Sequence, residues 1–285
     1  MKHIEKLKLF NYRRFKSFAV EFEDGLNTII GDNESGKSTI VEAISIVLSG
    51  SKTKIELIGL ESLFNSKTIE QFIAEGKEYQ KLPKLVVELY FNKQDNHKLN
   101  GNYNSEQREC DGLILEIEPD DEFSQEINDI LNQPQLVFPF EFYVIRFKTF
   151  AGNSYSGYNK FVRHVLVNNT QINNDYAMKE YVKDMYNAFS SVVDKNINQN
   201  KYREHKANFK ENQLSKLNQQ MGENYQFTIR HTARSNLEAD LALSEDNINL
   251  ENKGTGMQCF IKTDFALSKH MKNLNVVLLE EPENH

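Results

Sequence analysis

The chain has 285 residues, 39% hydrophobic and 26% charged, and its 41 acidic and 34 basic side chains give a net charge of −7. This composition excludes collagen-like and disordered classes, and the length allows one large or two modest domains with a buried core. The polar N-terminus, the lack of an apolar run of roughly 18 residues, and two cysteines without disulfide or metal-binding spacing predict a cytoplasmic protein with no membrane span.

Strand patterns dominate the first thirty residues. HIEKLKLF (3–10) is typical of a strand, and apolar and other residues alternate with period two in FAVEFE (18–23). LNTII (26–30) predicts a short apolar strand that leads into a loop with two glycines. Apolar residues then recur at helical spacing between residues 40 and 48, which predicts a helix ending at Gly50.

The rest of the chain predicts a mixture of strands and polar helices. The predicted strands are LVVELYF (85–91), LILEIE (113–118), FEFYVIRF (140–147), YQFTIRH (225–231), LEADLALS (237–244) and the apolar run at 276–279. Between them, residues 177–222 are rich in Lys, Gln, Asn and Glu, which predicts helices that form an arm, a docking segment or a surface helix pair. The fold class is therefore α/β.

The loop itself carries a phosphate-binding motif. GDNESGKS (31–38) fits G-x-x-x-x-G-K-[ST], and the predicted strand before it and helix after it are the context that this motif requires. Backbone N–H groups around Gly36 can surround phosphates, Lys37 can reach the β and γ phosphates, and Ser38 can hold Mg²⁺. The predicted ATP-binding residues of this loop are Gly31, Asn33, Glu34, Ser35, Gly36, Lys37, Ser38 and Thr39.

A second part of a nucleotide site is predicted near the other end of the chain. The apolar strand at 276–279 is followed by Glu280 and Glu281, the arrangement of a Walker B strand. Glu280 would support Mg²⁺, and Glu281 would orient and deprotonate the attacking water. Glutamate stands at the first position, where most such strands carry aspartate, so direct and water-mediated metal contact both stay open.

A glycine-rich turn precedes that strand. NKGTGMQ (252–258) stands before a helical run, CFIKTDFALSKHM, and a glycine-rich turn at a helix N-terminus can bind an anion. Almost the whole chain separates Lys37 from Glu280, which indicates a large insertion between the two halves of the site.

Together these motifs resemble the ABC-type ATPase heads of the SMC and RecF group. LFNYRRF (9–15) is similar to their N-terminal motif, in which Arg13 matches the arginine that approaches bound nucleotide. KGTGMQ resembles their signature motif, which implies that Gly254, Thr255, Gly256 and Gln258 reach the γ-phosphate of a partner protomer. The resemblance implies an ABC-type P-loop head with an N-terminal antiparallel β region and a helical arm or dimerisation insertion.

LLEEPENH resembles more specifically the ATPase domain of the OLD (overcoming lysogenisation defect) family of ATP-dependent endonucleases, whose wider group includes Gabija and retron-linked antiphage effectors. His285 matches the histidine of the EPE-x-H run. In that family a D-loop, a switch histidine and a Toprim nuclease domain follow, so the resemblance implies that this chain is truncated. DNA endonuclease activity is expected only of a longer protein.

The implied function is an ATP- and Mg²⁺-dependent ATPase head that forms a homo-oligomer through its heads and controls an attached Toprim nuclease, or a partner nuclease or defence subunit. The implied domains are residues 1–176 (N-terminal lobe), 177–224 (arm or dimerisation insertion) and 225–285 (C-terminal part of the head). Two alternatives stay open: a RecF- or SMC-like DNA-repair ATPase without a nuclease, and a non-catalytic, nucleotide-gated assembly module.

Two basic strips bear on DNA as a partner. They could contact phosphates, although the acidic total favours ordinary solvated charge as their explanation. The strips are Lys2, Lys6, Lys8, Arg13, Arg14 and Lys16, and Lys201, Arg203, Lys206 and Lys210.

Overall fold

A computed structural model of the chain describes residues 3–133, 137–157, 161–168, 175–220, 225–229, 236–267 and 275–281. The chain divides into two compact units, Met1–His164 and Val165–His285. The division into three segments at 176 and 224 stays a prediction. No helix within the described ranges is both long and apolar enough to cross a membrane.

An antiparallel sheet forms the centre of the first unit. Its strands are β1 (Ile4–Tyr12), β2 (Phe15–Glu21), β3 (Leu85–Phe91), β4 (Asn100–Gly101), β5 (Cys110–Pro119) and β6 (Tyr143–Thr149). They pair in the order β2-β1-β3-β5-β4, with β6 also pairing with β5. The predicted strands near residues 3, 18, 85, 113 and 140 are therefore confirmed, although residues 140–142 form a 3₁₀ turn rather than a strand.

Apolar and polar side chains alternate along these strands, which creates an apolar face of the sheet that one helix covers. Leu7 of β1 pairs with Leu89 of β3, which in turn pairs with Leu113 of β5, and all three are buried. α1 (Lys37–Ser49) packs against β3 and β5 and buries the residues from Ala43 to Leu48. The helix ends as predicted at Gly50, whose φ of 57° lets its N–H reach the carbonyls of Ile46 and Val47. This packing fixes the start of α1, and with it the loop before the helix.

Four further helices of the first unit were not predicted from the sequence. They are α2 (Lys52–Ile58), α3 (Leu60–Leu63), α4 (Ser66–Ala74) and α5 (Ser124–Leu131). Ser51 caps α2 by accepting from the Lys54 N–H, and Asn65 caps α4 by accepting from the Thr68 N–H. These capping residues are the sequence signal that could have located the first and third of them.

The second unit is mainly helical. Its elements are β7 (His164–Asn168, starting at the boundary), α6 (Asp175–Phe189), α7 (Val192–Phe209), α8 (Ser215–Gln220), α9 (Leu237–Asp240), β8 (Ser244–Glu245), β9 (Ile248–Asn249), α10 (Thr255–Leu267) and β10 (Val276–Glu280). β7 pairs with β10, and β8 pairs with β9. The helices predicted at 177–222 and from residue 259 onward are confirmed in their described parts, as is the strand before Glu280, although α10 begins four residues earlier than predicted, at Thr255.

The core of this unit joins the strand pair to two helices. Val165 and Val167 of β7 pack with Tyr181 of α6 and Ile261 of α10, and Leu279 of β10 lies partly buried against them. Burial of its ring raises the pKa of Tyr181 above the ordinary range of tyrosine. β10 is thus anchored through its apolar side chains, which fixes the position at which Glu280 ends the strand.

The predicted strand LNTII (26–30) is wrong. Residues 26–30 form no ladder with any strand in the described part of the chain, and Leu26 and Ile30 are each 89% exposed. β-branched and apolar residues favour a strand, but a strand also needs a neighbouring strand to form hydrogen bonds with its backbone N–H and C=O groups.

Two later strand predictions are also wrong. In YQFTIRH, residues 225–229 form no strand, and the last two residues lie outside the described ranges. The side chain of Asn218 takes the place of a neighbouring strand there, because it accepts from the Phe227 N–H at 2.7 Å and donates to the Phe227 carbonyl at 3.1 Å. LEADLALS begins instead as helix α9, because the Asn236 side chain caps the Ala239 N–H.

Candidate nucleotide-binding site

The loop from Gly31 to Gly36 is tight, and residue 36 in particular requires glycine. Gly36 has a φ of 103°, and a Cβ added there would lie 2.6 Å from Cζ of Phe15. A Cβ on Gly31 would lie 2.6 Å from Oγ of Ser35. Glu34 also adopts a positive φ, 63°. The backbone therefore turns sharply within the loop, in conformations that favour residues without a side chain.

The ammonium group of Lys37 is held against the inside of this turn. Its Nζ donates to the carbonyl of Gly31 at 2.5 Å and to that of Asp32 at 2.9 Å. The N–H of Ser35 donates to the Asp32 carbonyl at 3.1 Å, which closes the turn. Residues 31–35 are exposed and Lys37 is half-buried, so the cation lies at the surface of the loop, within reach of an anion.

The start of α1 completes a phosphate-binding cradle. Gly36 brings no side chain that could cap the helix, and the first intrahelical bond runs from the Ile40 N–H to the Gly36 carbonyl at 3.0 Å. The N–H groups of the first turn thus remain available for a ligand, and the helix dipole favours an anion there. Ser38, one residue after Lys37, is exposed. These residues fit an Mg-nucleotide, because they supply N–H donors, a cation and a hydroxyl ligand in one turn.

The β1–β2 hairpin lies against this loop. Tyr12 and Phe15 pair across its end, and Arg13 occupies the turn with a φ of 47°. The Phe15 ring contacts Gly36 and stacks on Phe18 with ring centroids 4.5 Å apart. The resemblance to other heads predicts the motif LFNYRRF (9–15), but not that Phe15 supports the loop.

Arg13 is bound to the helix that follows the loop. Its guanidinium contacts the Glu42 carboxylate at 2.9 Å, and the buried hydroxyl of Tyr12 donates to the same carboxylate at 3.1 Å. Burial, and then the charge of Glu42, raise the pKa of Tyr12 well above its ordinary value, so this hydroxyl stays protonated. Glu42 was not predicted from the sequence, because it belongs to no recognisable motif. A nucleotide contact by Arg13 stays a prediction, whereas its contact with Glu42 is part of the structure.

The carboxylates predicted to act on metal and water lie at the end of β10. Glu280 is the last residue of the strand and Glu281 follows it, both half-buried. Glu281 has a φ of 50°, a conformation that is uncommon for a residue other than glycine and that clusters at functional sites. His285 and the rest of PENH lie outside the described residues.

The predicted glycine-rich turn is shorter than expected, because α10 already begins at Thr255 and includes Gly256. Gly254 is exposed, and a Cβ placed there would meet nothing within 4 Å. Two apolar side chains three residues apart near the start of the helix, Met257 and Phe260, are 51% and 65% exposed. The surface beside the turn is therefore open and partly apolar.

The side chain of Gln258 points inward in this structure, and its contact with nucleotide stays a prediction. Gln258 is 4% exposed, and its Nε2 donates to the backbone carbonyl of Lys253 at 2.8 Å and to that of Glu251 at 3.4 Å. A buried amide is stabilised by such bonds, so this side chain holds the turn in place. Gly254, Thr255 and Gly256 keep their predicted role as a proposal.

Three cations of the first basic strip, Lys6, Lys8 and Arg13, are paired with carboxylates. Lys6 and Lys8 contact Glu106 at 2.8 and 3.1 Å, and the hydrogen bond from Lys6 is the main cause that lowers the pKa of this glutamate. Lys16 donates to the Gln71 side chain at 2.8 Å. Arg14 is exposed and has no acidic or hydrogen-bonding partner in the part of the chain that is described. Lys2 lies outside that part.

The second strip is less neutralised. Lys206 contacts Asp240 at 3.3 Å. Lys201, Arg203 and Lys210, on or just after α7, form no ion pair with any described residue.

Comparison with known proteins defines the class. Residues 6–226 match the family described as AAA domain, and because this match covers most of the chain, the chain belongs to that family. It is an AAA-type ATPase domain related to the heads of RecF, Smc and Rad50.

The relatives by sequence match over short stretches. The DNA replication and repair protein RecF of Oceanobacillus iheyensis is 47% identical over 45 residues, which cover 16% of this chain and 12% of RecF. The DNA double-strand break repair Rad50 ATPase of Pyrococcus abyssi is 45% identical over 58 residues, which cover 20% of this chain and 6% of Rad50. The chain thus spans only a small part of these relatives.

A solved structure of the recombination mediator protein RecF with ATP matches 79% of this chain and 47% of that one, at 15% identity and a TM-score of 0.38. The nucleotide assignment therefore rests on the loop geometry and the family, and not on superposition.

Proposed function

We propose that the chain binds Mg·ATP at residues 31–39 and hydrolyses it slowly, and that ATP brings two copies together head to head. The observation that carries this proposal is the loop itself: Gly36 in a left-handed conformation, the Lys37 ammonium inside the turn, and an uncapped N-terminus of α1. Each of these features attracts phosphate, and their coincidence in seven residues is hard to explain as a structural turn.

Each predicted catalytic group has a distinct role in this proposal. Lys37 neutralises charge that develops on the transferred phosphoryl group, and the Ser38 hydroxyl is a metal ligand. The metal role of Glu280 stays a prediction from the sequence. Bound Mg²⁺ would neutralise phosphate charge. Glu281 orients the attacking water and accepts its proton, which requires the carboxylate to be ionised. The strained backbone of Glu281 supports a functional role for this residue.

The partner copy would contribute the glycine-rich turn. Gly254 to Gly256 have backbone N–H groups at the start of α10, where an anion is favoured, and Met257 and Phe260 provide exposed apolar surface beside them. The γ-phosphate then lies between two protomers, so ATP favours the dimer and ADP does not.

The mass of the protein in solution tests this step. A non-hydrolysable ATP analogue with Mg²⁺ is expected to convert monomer to dimer in light scattering, whereas ADP is not. Phe260→Glu should keep the protein monomeric with the analogue, because a charge in the interface is not paired. Leu57→Glu, which changes a residue 64% exposed on α2, is the matched control and should dimerise normally. A monomer with wild-type protein and saturating analogue would contradict the head-to-head proposal.

DNA is the second candidate ligand, and the observation that favours it is a group of cations that form no ion pair with any described residue: Lys201, Arg203 and Lys210. Lys201 and Arg203 of α7 are exposed and Lys210 directly follows this helix, so these cations are accessible to a phosphate backbone. In the relatives' names, DNA repair and chromosome partition are stated for RecF, Rad50 and Smc. Duplex binding that weakens with salt, and weakens further in the triple alanine variant, would support this role, whereas binding unchanged in that variant would exclude the arm.

Control of a Toprim nuclease in antiphage defence is the finer proposal. Its support is the resemblance of EEPENH (280–285) to the OLD family. Sequencing the source gene beyond the codon for His285 tests it. An acidic α/β domain after a switch histidine would support the nuclease, and a reading frame without such acids would remove it.

A further inference from the structure

The two arginines at the turn of the β1–β2 hairpin have different surroundings. Arg13 contacts Glu42 of α1, as described above. Arg14 instead passes over the phosphate loop: a Cβ placed on Gly36 would lie 2.9 Å from Cδ of Arg14. The aliphatic stem of Arg14 therefore packs on the glycine that immediately precedes Lys37.

Arg14 also differs from the other described cations of the N-terminal strip. Each of these cations bonds a carboxylate or an amide, whereas the exposed Arg14 has no such partner within the described residues. An unpaired guanidinium fits an anion that arrives from solution, because it can form parallel hydrogen bonds to two phosphate oxygens.

The hairpin is built to hold Arg14 in this place. The Phe15 ring contacts Gly36 on one side and Phe18 on the other, and the Arg13 N–H donates to the Leu63 carbonyl at 2.6 Å. The Asn65 side chain donates to the Arg13 carbonyl, also at 2.6 Å. The backbone on both sides of Arg14 is thus anchored, while the side chain of Arg14 is exposed.

We propose that Arg14 is the hairpin residue that binds the phosphate chain of the nucleotide, and that Arg13 is a positioning residue that fixes the hairpin to α1 through Glu42. This inference rests on the proposed nucleotide-binding function. It moves the phosphate contact from Arg13, where the resemblance to other heads places it, to the neighbouring residue.

Binding of two ligands by the whole chain tests the proposal. Mg·ATP and Mg·tripolyphosphate, which lacks adenosine, are titrated calorimetrically into wild type, Arg14→Ala, Arg14→Lys, Arg13→Ala and Lys16→Ala. Arg14→Ala is expected to weaken both ligands about tenfold or more, because charge-assisted hydrogen bonds are lost. Arg14→Lys should recover part of this affinity. Lys16→Ala removes an exposed charge from the same hairpin and should bind as wild type does.

Arg13→Ala should lower the melting temperature of the free protein and change either affinity less than threefold. The melting temperature of Arg14→Ala should equal that of the wild type, because Arg14, in contrast to Arg13, forms no ion pair with α1.

The outcomes separate this inference from the proposed function. Unchanged affinity of Arg14→Ala, in a wild-type chain that binds ATP, overturns the inference alone. Loss of ATP affinity without loss of tripolyphosphate affinity also overturns it, because Arg14 would then contact the nucleoside. A wild-type chain that binds neither ligand overturns the proposed function, and the Arg14 assignment with it.

Discussion

We expect Lys37→Ala to weaken Mg·ATP binding by about 100-fold, the largest effect of any single substitution in the loop. The ammonium lies within 2.9 Å of two loop carbonyls, at the point where phosphate oxygens would replace them. Removing it takes away both a charge and the donors that bind the phosphates, a loss of roughly 3 kcal/mol. Equilibrium titration with a fluorescent ATP derivative measures the effect.

The matched control for this experiment is Lys52→Ala, which removes an exposed charge at the start of α2. Its affinity for ATP should equal that of the wild type. Both variants should unfold at the wild-type temperature, because neither side chain contributes to the buried core. Tight ATP binding by Lys37→Ala would show that residues 31–39 are not the nucleotide site.

Glu281→Gln is expected to lower the rate of ATP hydrolysis by roughly 10²- to 10³-fold and to leave ATP affinity within threefold of the wild type. The amide keeps the shape of the carboxylate and loses its ability to accept a proton from water. ATP then persists in the site, so the dimer should accumulate with ATP itself and not only with an analogue. Phosphate release and light scattering measure the two effects.

Glu251→Gln serves as the control, because this exposed carboxylate lies in the same unit on the 3₁₀ turn before α10. It should hydrolyse ATP at the wild-type rate. If Glu281→Gln and wild type hydrolyse ATP equally slowly while both dimerise, the non-catalytic, nucleotide-gated alternative is the better account.

The sequence predicts those elements whose own residues decide their structure. α1 has apolar side chains at helical spacing and a glycine at its end. β3 and β5 are apolar runs whose backbone groups form hydrogen bonds with each other in one sheet. The glycine loop is predicted for the same reason. Its left-handed backbone at residue 36 favours glycine, and the motif places glycine there, directly before Lys37. In each case the local preference and the tertiary packing agree.

The sequence fails where a distant group decides the outcome. Residues 26–30 have the composition of a strand but no neighbour among the described strands. Residues 225–229 were predicted as a strand, but the side chain of Asn218 bonds the backbone of Phe227 where a neighbouring strand would. The inward position of Gln258 depends on carbonyls that only the folded turn brings close.

The site shows the same limit at the level of single side chains. The motif NYRRF places two arginines at a turn, and spacing alone cannot distinguish which one faces the loop. The Glu42 carboxylate decides this by binding Arg13. An acidic residue on the helix that follows the phosphate loop carries no recognisable motif, so the pairing becomes visible only in the folded unit.

Hydrogen exchange of the wild-type chain, with and without Mg·ATP, tests the central claim most directly. Nucleotide bound in the cradle should slow exchange of the backbone amides between residues 33 and 40, because their N–H groups would then donate to phosphate oxygens. Peptides from the sheet strands β3 and β5 should exchange equally in both states. Unchanged exchange at residues 33–40 under saturating Mg·ATP would contradict the account, since the loop would then be a structural turn and not a nucleotide site.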